Sequence, residues 1–317
     1  MKFAFLMDPL KTINIIKDTT YVFIKESHSR GHDCYFIGQD DIYFKNNSVH
    51  LNTIKIEPTD NENKQFNEIK SETLSAEEFD VIFIRPDPPF DDRYLRNTWL
   101  LDLCKHPYIM NNPKGIRTVN EKIFALQFDS MIPTSLITQD KEEYLDFLNK
   151  HKKIIIKPLN GYGGQGIFIV NEGDTNMNVT FETLIKLENS PILCQTYIPE
   201  ASVGDKRILL LDGEPLGAVL RVHNKLDHRN NFFAGGKAIE TEITDNDKKI
   251  IDTIRPYLKE NQLSFVGIDI IGDYLIEINV TSPTCLQEMN TIYDQKLEKQ
   301  VIDFVESKVK NNIKKDI

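Results

Sequence analysis

The sequence predicts an α/β protein in two parts: a parallel α/β domain over residues 1–119 and a mixed α+β region over 120–317. Three observations lead there. Apolar strands alternate with helically spaced segments through the first hundred-odd residues, which implies a parallel sheet with helices on its faces. The alternation pauses at "NNPKGIRTVN" (Asn111–Asn120), where Pro113 and Gly115 act as breakers. Beyond the pause, hairpin signals replace crossover helices.

Each element has its own reason. Lys2–Met7 is a short apolar run, and Lys17–Arg30 has helical spacing that stops at Gly31, a residue suited to the left-handed position after a helix. Asp33–Gly38 and Asp80–Arg85 ("DVIFIR") return as strands, while residues 57–78, rich in Asn, Glu and Lys, form an exposed excursion. Asn120 caps a short helix, "EKIFALQF". One helix near Lys141–Asn149 follows, then the hairpin "RILLLDGEPLGAVLRV" turning at Asp212-Gly213. A helix over Asp245–Asn261 precedes two last strands, and Asp294–Lys308 is helical.

Composition narrows the function classes. With 40% hydrophobic and 27% charged residues the chain reads as globular. No apolar run approaches the roughly 20 residues of a spanning helix, and the start lacks a signal-peptide layout, so no membrane partner is expected. A net charge of −10 argues against a nucleic-acid partner. Cys34, Cys104, Cys194 and Cys285 are far apart and mostly among apolar neighbours, which suggests buried free thiols in a reducing cytoplasm. No histidine has triad spacing; His28 and His32 are separated by Gly31 and read as surface residues.

Two stretches carry chemistry. "KPLNGYGGQG", residues 157–166, is a glycine-rich turn between two apolar runs, and backbone amides in such a turn suit phosphate. It lacks the Gly-Lys-Ser/Thr ending of a phosphate loop before a helix, and a strand follows it. Lys157 gains weight from that loop, whereas Lys122 gains little from spacing. In "SFVGIDIIGDYLIEINVTSPT", residues 264–284, Asp269, Glu277 and Asn279 are polar groups in apolar strands. Two carboxylates and an amide carbonyl suit Mg²⁺, with nucleotide phosphates as further ligands; an exposed hairpin with solvated carboxylates is the competing reading. Glu277 and Asn279 share a face by strand period. A two-residue loop at Gly272-Asp273 would oppose Asp269 to Ile276, so a shared metal face predicts an odd loop, Gly272–Tyr274 with a bulge.

Arg207 and Arg221 stand on paired strands, where two guanidinium groups could converge on one anion or simply end two strands. Residues 224–237 read either as a lid or as an idle surface loop; they hold Arg229 and two adjacent glycines. Ser282 and Thr284 could hold a substrate carboxylate or form turns around Pro283.

The order "IIIKP", "GYGGQGIF", "GDKRILLLDGEP", "AGGK" and "GIDIIGDYLIEINVTSPT" resembles the ATP-grasp superfamily and, more narrowly, the bacterial glutathione synthetases. "MDP" with Asp8, Lys17-Asp18, "RPDPPFD" with Arg85 and "NEK" at 120–122 match too, so the likeness covers nearly the whole chain. It implies a two-lobed ATP-grasp domain, 120–200 and 201–317, after the substrate domain. It also implies an ADP-forming ligase joining γ-glutamylcysteine and glycine through an acyl phosphate.

Carried over by motif, Lys122, Lys157, Gly161, Gly163 and Gly164 would meet ATP phosphates. Gln195, Tyr197 and Ile198 would form the adenine hinge, with Asp205 nearby. Asp269, Glu277 and Asn279 would hold Mg²⁺, or Mn²⁺ in its place. Arg207, Arg221 and Arg229 would act on the transferred group, and Arg85, Ser282 and Thr284 would face the peptide or glycine. The family likeness further implies a cytoplasmic homo-oligomer, a tetramer or dimer. Asn230 after Arg229, Lys237 after the glycine pair, Phe232, Phe233 and Pro86 depart from the family pattern and leave lid behaviour open. Another ATP-grasp amino-acid ligase and a non-catalytic nucleotide-binding module are the rival readings.

Overall fold

The computed structural model describes residues 1–222 and 236–313. The chain opens with β1 (Lys2–Leu6), α1 (Thr19–Ser29), β2 (Asp33–Ile37), β3 (Ile42–Lys45), β4 (Ser48–Asn61), β5 (Lys64–Ser75), β6 (Val81–Ile84), α2 (Asp92–Leu101), β7 (Tyr108–Met110) and α3 (Pro113–Thr118). β1 pairs in parallel with β2 and β6, and β6 with β7, as the strand–helix alternation predicts. Antiparallel β4 extends that sheet beyond β2 and carries β3 and β5.

Most of residues 57–78 lies in the β4–β5 hairpin. β5 pairs with β4, and its Lys, Glu and Asn side chains suit an edge strand that must discourage further pairing. The pause at Asn111–Asn120 contains α3, which starts on Pro113 at its first turn under the Asn112 cap.

The next lobe holds β8 (Ser135–Thr138), α4 (Lys141–His151), β9 (Lys153–Pro158), β10 (Phe168–Asn171), α5 (Met177–Glu188) and β11 (Ile192–Thr196), with the antiparallel sheet order β10-β9-β11-β8. "EKIFALQF" corrects one expectation. Its regular part is a 3₁₀ turn over Phe124–Gln127, although Asn120 still accepts from the Lys122 and Ile123 amides. A tight turn lets Phe124, Ala125 and Phe128 all bury within one short segment. α5 was not legible, because Val179, Thr180 and Thr183 weaken helix propensity and Asn176 makes no capping bond.

The last lobe comprises β12 (Asp205–Leu211), β13 (Glu214–Val222), β14 (Lys237–Ile239), α6 (Asp245–Glu260), β15 (Phe265–Ile271), β16 (Tyr274–Asn279), α7 (Leu286–Tyr293) and α8 (Leu297–Ile313). Its antiparallel sheet runs β14-β13-β12-β15-β16. Asp212 and Gly213 both take positive φ (52° and 80°), the backbone of the predicted hairpin turn. The helix predicted over Asp294–Lys308 begins later: Asp294, left-handed at φ 50°, ends α7, and α8 starts at Leu297.

Core packing joins the first and last of these units. Ile82 and Ile84 of β6 belong to the same apolar cluster as Ile208, Ile268 and Ile278, and Phe23 meets Phe265 edge-on at 5.3 Å. Asn111 reinforces the joint. Its Nδ2 donates to the carbonyls of Phe265 (2.7 Å) and Val280 (2.9 Å), and its Oδ1 accepts from the Phe265 amide at 2.7 Å. The middle lobe has its own core of Tyr144, Leu148, Ile154, Ile156, Phe181 and Leu184.

Candidate active site

A cavity of about 850 Å³ opens between the middle lobe, the last sheet and the carboxyl ends of β1 and β6. The ends of parallel strands leave loop backbone and side chains free to meet a ligand, here Asp8 after β1 and Arg85 after β6. Every site residue predicted from the sequence lines this cavity except Arg229, which lies outside the described residues together with Asn230, Phe232 and Phe233.

Strand register explains how one face gathers the charges. Arg207 pairs with Asp269 across β12 and β15, and Asp269 with Glu277 across β15 and β16. Asp205 precedes Arg207 by two and pairs with Arg221 on β13, while Asn279 follows Glu277 by two. The shared face predicted for Asp269 and Glu277 is present, but the odd loop is not. Ile271 pairs with Tyr274, so Gly272-Asp273 is a two-residue turn; the extra residue sits at Ile276, where the register shifts in a bulge between the Ile270–Leu275 and Asp269–Glu277 pairs. The strand, not the turn, supplies the odd count.

Asp269 is the hub. Its carboxylate accepts from Arg207 Nε and Nη2, from Arg221 Nη2 at 2.9 Å and from Asn279 Nδ2 at 3.4 Å. Burial pushes its pKa up, but Arg207 and Arg221 outweigh burial and hold it well below the usual carboxylate range. Arg221 also gives Nε and Nη2 to Asp205, each at 2.7 Å. Neither arginine bonds through Nη1 among the described residues, so each keeps donors for an anion in the cavity.

Lys157 ends β9 where the glycine loop begins, and it is 3% exposed. Burial lowers its pKa to about 8, offset in part by Glu277, whose Oε1 lies 3.9 Å from Nζ. Lys122 Nζ lies 3.5 Å from the same oxygen and donates to the Gly161 carbonyl at 2.5 Å. Gly163, Gly164 and Gly166 all have positive φ (60°, 75° and 70°), a backbone that turns the loop between antiparallel β9 and β10. At the other edge, Gln195 Nε2 donates to Ser135 Oγ at 2.9 Å, and Lys153 Nζ sits 3.6 Å over the Tyr197 ring beside Ile198.

Ser282 Oγ donates to the Arg85 carbonyl at 3.1 Å, and Thr284 Oγ1 lies 3.9 Å from Cys285 Sγ. Lys237 is exposed at the start of β14, opposite Val222.

Spacing gave no weight to Glu121, Thr281, Thr20 or Asp87, which also line the cavity. Glu121 accepts from Thr281 Oγ1 at 2.8 Å and, through its carbonyl, from the Ile278 amide at 2.9 Å. Burial raises its pKa, with Lys122 opposing. The signal was a carboxylate beside the predicted domain boundary, but the helix expected there put no face on it.

Among the described residues no three His, Cys, Asp or Glu side chains form a metal-holding group. The metal candidate is instead two carboxylates and an amide, and it fits a hard cation only with phosphate oxygens completing the shell. Among the described residues Asp269 Oδ1 accepts one hydrogen bond and keeps a lone pair, and the ion-pair partners of Glu277 are Lys122 and Lys157.

Residues 1–117 match the model of the prokaryotic glutathione synthetase N-terminal domain, and residues 121–294 that of the prokaryotic glutathione synthetase ATP-grasp domain. The chain belongs to the prokaryotic glutathione synthetase family. It is 36% identical over 313 residues to the glutathione synthetase of Vibrio cholerae, covering 98% of both chains. To that of Escherichia coli K12 it is 37% identical over 312 residues, covering 98% of this chain and 99% of the relative. The chain is accordingly an ADP-forming ligase of glutathione synthesis, as the motif resemblance implied.

Among solved structures, D-cycloserine synthetase DcsG superposes with a TM-score of 0.68 at 9% identity, covering 98% of this chain and 99% of that one. The ATP-grasp ligase PsnB, complexed with minimal precursor, Mg and ADP, superposes at 0.62 and 14% identity, covering 98% of each. These two share the fold. No helix among the described residues is long and apolar enough to cross a membrane.

Proposed function

We propose that this cavity joins γ-glutamylcysteine to glycine at the expense of ATP, with roles divided by the face each residue occupies. A free carboxylate resists amines because oxide is a poor leaving group. Transfer of the γ-phosphoryl group to the cysteinyl carboxylate gives an acyl phosphate; the glycine amine attacks its carbonyl carbon and phosphate leaves. The observation that carries the reading is the cationic quartet Lys122, Lys157, Arg207 and Arg221 around one cavity, each at most 6% exposed.

Lys122, Lys157 and the amides of the Gly161–Gly164 loop take the nucleotide phosphates. Gln195, Tyr197 and Ile198 edge the adenine, with Asp205 holding Arg221 in place. Arg207 and Arg221 turn their remaining N–H groups toward the transferred phosphoryl and the tetrahedral oxyanion, where preorganised donors act most strongly. Asp269, Glu277 and Asn279 would hold Mg²⁺, or Mn²⁺, which when bound neutralises phosphate charge. Arg85, Ser282 and Thr284 serve the substrate side, and Arg229 belongs to the proposed lid.

The same reading divides the chain at 119/120 and then near 200, and places the enzyme in the cytoplasm as a homo-oligomer acting on small molecules. Its test is ADP release by the purified chain with paired amino-acid substrates. We expect turnover that requires both γ-glutamylcysteine and glycine. Turnover only with other amino-acid pairs would move the chain to a different ligase chemistry, and ATP binding without any turnover would make it a nucleotide-binding module.

A further inference from the structure

Glu121 lines the cavity where the chain enters the middle lobe, and two bonds pin it to the end of β16. Its carbonyl accepts from the Ile278 amide at 2.9 Å, and its Oε1 accepts from Thr281 Oγ1 at 2.8 Å. It therefore stands beside the stretch that runs from Glu277 and Asn279, proposed for the metal, to Ser282 and Thr284, proposed for the substrates. Its Oε2 makes no hydrogen bond among the described residues, yet it is not sealed from the cavity. Neighbouring carboxylates are committed elsewhere: Asp205 and Asp269 to arginines, and Glu277 to Lys122 and Lys157. Lys122 itself turns its ammonium to the Gly161 carbonyl and Glu277. Glu121 thus has no ion-pair partner among the described residues.

Amide formation calls for such a group. Glycine in neutral water is an ammonium, whose nitrogen has no lone pair to attack with. We propose that Glu121 is the general base of the amide-forming step, taking a proton from the glycine ammonium at Oε2. The proposal rests on the function assigned above and adds a catalytic residue to it. The first ammonium proton passes to Glu121 and on to solvent, and the freed lone pair forms the C–N bond to the acyl carbon. The tetrahedral intermediate then collapses, the bond from carbon to the phosphate oxygen breaks, and the second proton leaves the nitrogen with the phosphate. Burial raises the pKa of Glu121; Lys122, the Thr281 bond and Arg207 oppose, Glu277 adds to it, and Tyr94 is a further titratable neighbour. A carboxylate of raised basicity takes a proton more readily. Lys157, whose pKa lies at about 8, is the other candidate base, but phosphates beside it would favour its charged form.

The test compares glycine with hydroxylamine, an amine already unprotonated at neutral pH, which traps acyl phosphates as hydroxamates without a base. Glu121→Gln keeps the shape and an oxygen for the Thr281 hydroxyl. In this variant we expect kcat/KM for glycine to fall by about a hundredfold or more, while hydroxamate formation from ATP and γ-glutamylcysteine stays within about threefold of wild type. Wild-type kcat/KM for glycine should be level from about pH 7.5 to 9, whereas the variant's should climb about tenfold per pH unit, because only the free amine then reacts. An equal loss with both nucleophiles would make Glu121 a structural pin and overturn the proposal. Glycine turnover within about threefold of wild type, or a level profile in the variant, would overturn it too. If Glu121→Gln does not fold, Glu121→Asp decides, since it keeps the charge but withdraws it by one methylene. Glycine turnover should then drop about tenfold with the profile still level and hydroxamate formation retained, and unchanged glycine turnover would overturn the role. A wild type that releases no ADP with either nucleophile would refute the reaction itself, and the role of Glu121 with it.

Discussion

Asp269 stands directly opposite Glu277 across β15 and β16 although the turn between them has two residues, because the bulge at Ile276 restores the register. That one displaced residue puts both carboxylates on the face that Arg207, Arg221, Lys122 and Lys157 also address. Glu277→Gln removes one charge from that face without changing its shape. We expect kcat to fall by about two to three orders of magnitude, with a lower thermal midpoint as well, because Lys122 and Lys157 lose their shared counter-charge. ADP release and a melting curve on the same preparation check it, and near-normal turnover would remove Glu277 from the proposed metal site.

Lys157 is buried for function at a cost in stability. In the folded chain its pKa is lowered from 10.5 to about 8, so the unfolded chain binds the extra proton between those values. Its cost to the fold is therefore full below pH 8 and relieved as pH rises past 10.5. Lys157→Met should melt higher than wild type at pH 7, and the difference should vanish near pH 11. ATP affinity should meanwhile fall by roughly ten- to a hundredfold. A variant that melts lower at pH 7 and binds ATP normally would contradict both halves.

Asp18 carries a similar cost with the opposite sign in pH. Burial lifts its pKa from 3.8 to about 6, the Tyr21 amide and Arg85 opposing. Stability from this group is complete below pH 3.8 and lost as pH rises through 6. Asp18→Asn should thus match wild type near pH 4 and exceed it by about 1–2 kcal/mol at pH 7.5, discounted for partial exposure. Denaturant titration at the two pH values measures it; equal stability at both would mean the carboxylate is already compensated.

Asn111 fastens the N-terminal sheet to the catalytic sheet through three hydrogen bonds to Phe265 and Val280. Asn111→Ala leaves those backbone groups unpaired in a dry interior. A loss of about 2–4 kcal/mol is expected, read from the denaturant midpoint at constant slope. A loss under about 0.5 kcal/mol would show that the joint is held by apolar packing alone.

Much of this was legible because the informative residues violate their local pattern. Asp269, Glu277 and Asn279 interrupt apolar strands, and the glycine loop interrupts two more, so each could be read without neighbours in space. Register was harder. The face shared by Asp269 and Glu277 was inferred, but its cause was placed in the turn, since a bulge leaves no mark on residue type at Ile276. Glu121 and Asp87 escaped notice because short turns have no period to assign them a face. α5 and α7 were missed for want of strong propensity or caps, and packing against the sheets decides them instead.

The fate of one oxygen tests the acyl-phosphate account most directly. γ-Glutamylcysteine labelled with ¹⁸O in its cysteinyl carboxylate is incubated with ATP, glycine and the chain, and the phosphate released is weighed by mass spectrometry. The account predicts one ¹⁸O in each phosphate, with ADP and tripeptide formed in equal amounts. Phosphate free of label alongside tripeptide would contradict it, because the carboxylate would then never have carried the phosphoryl group.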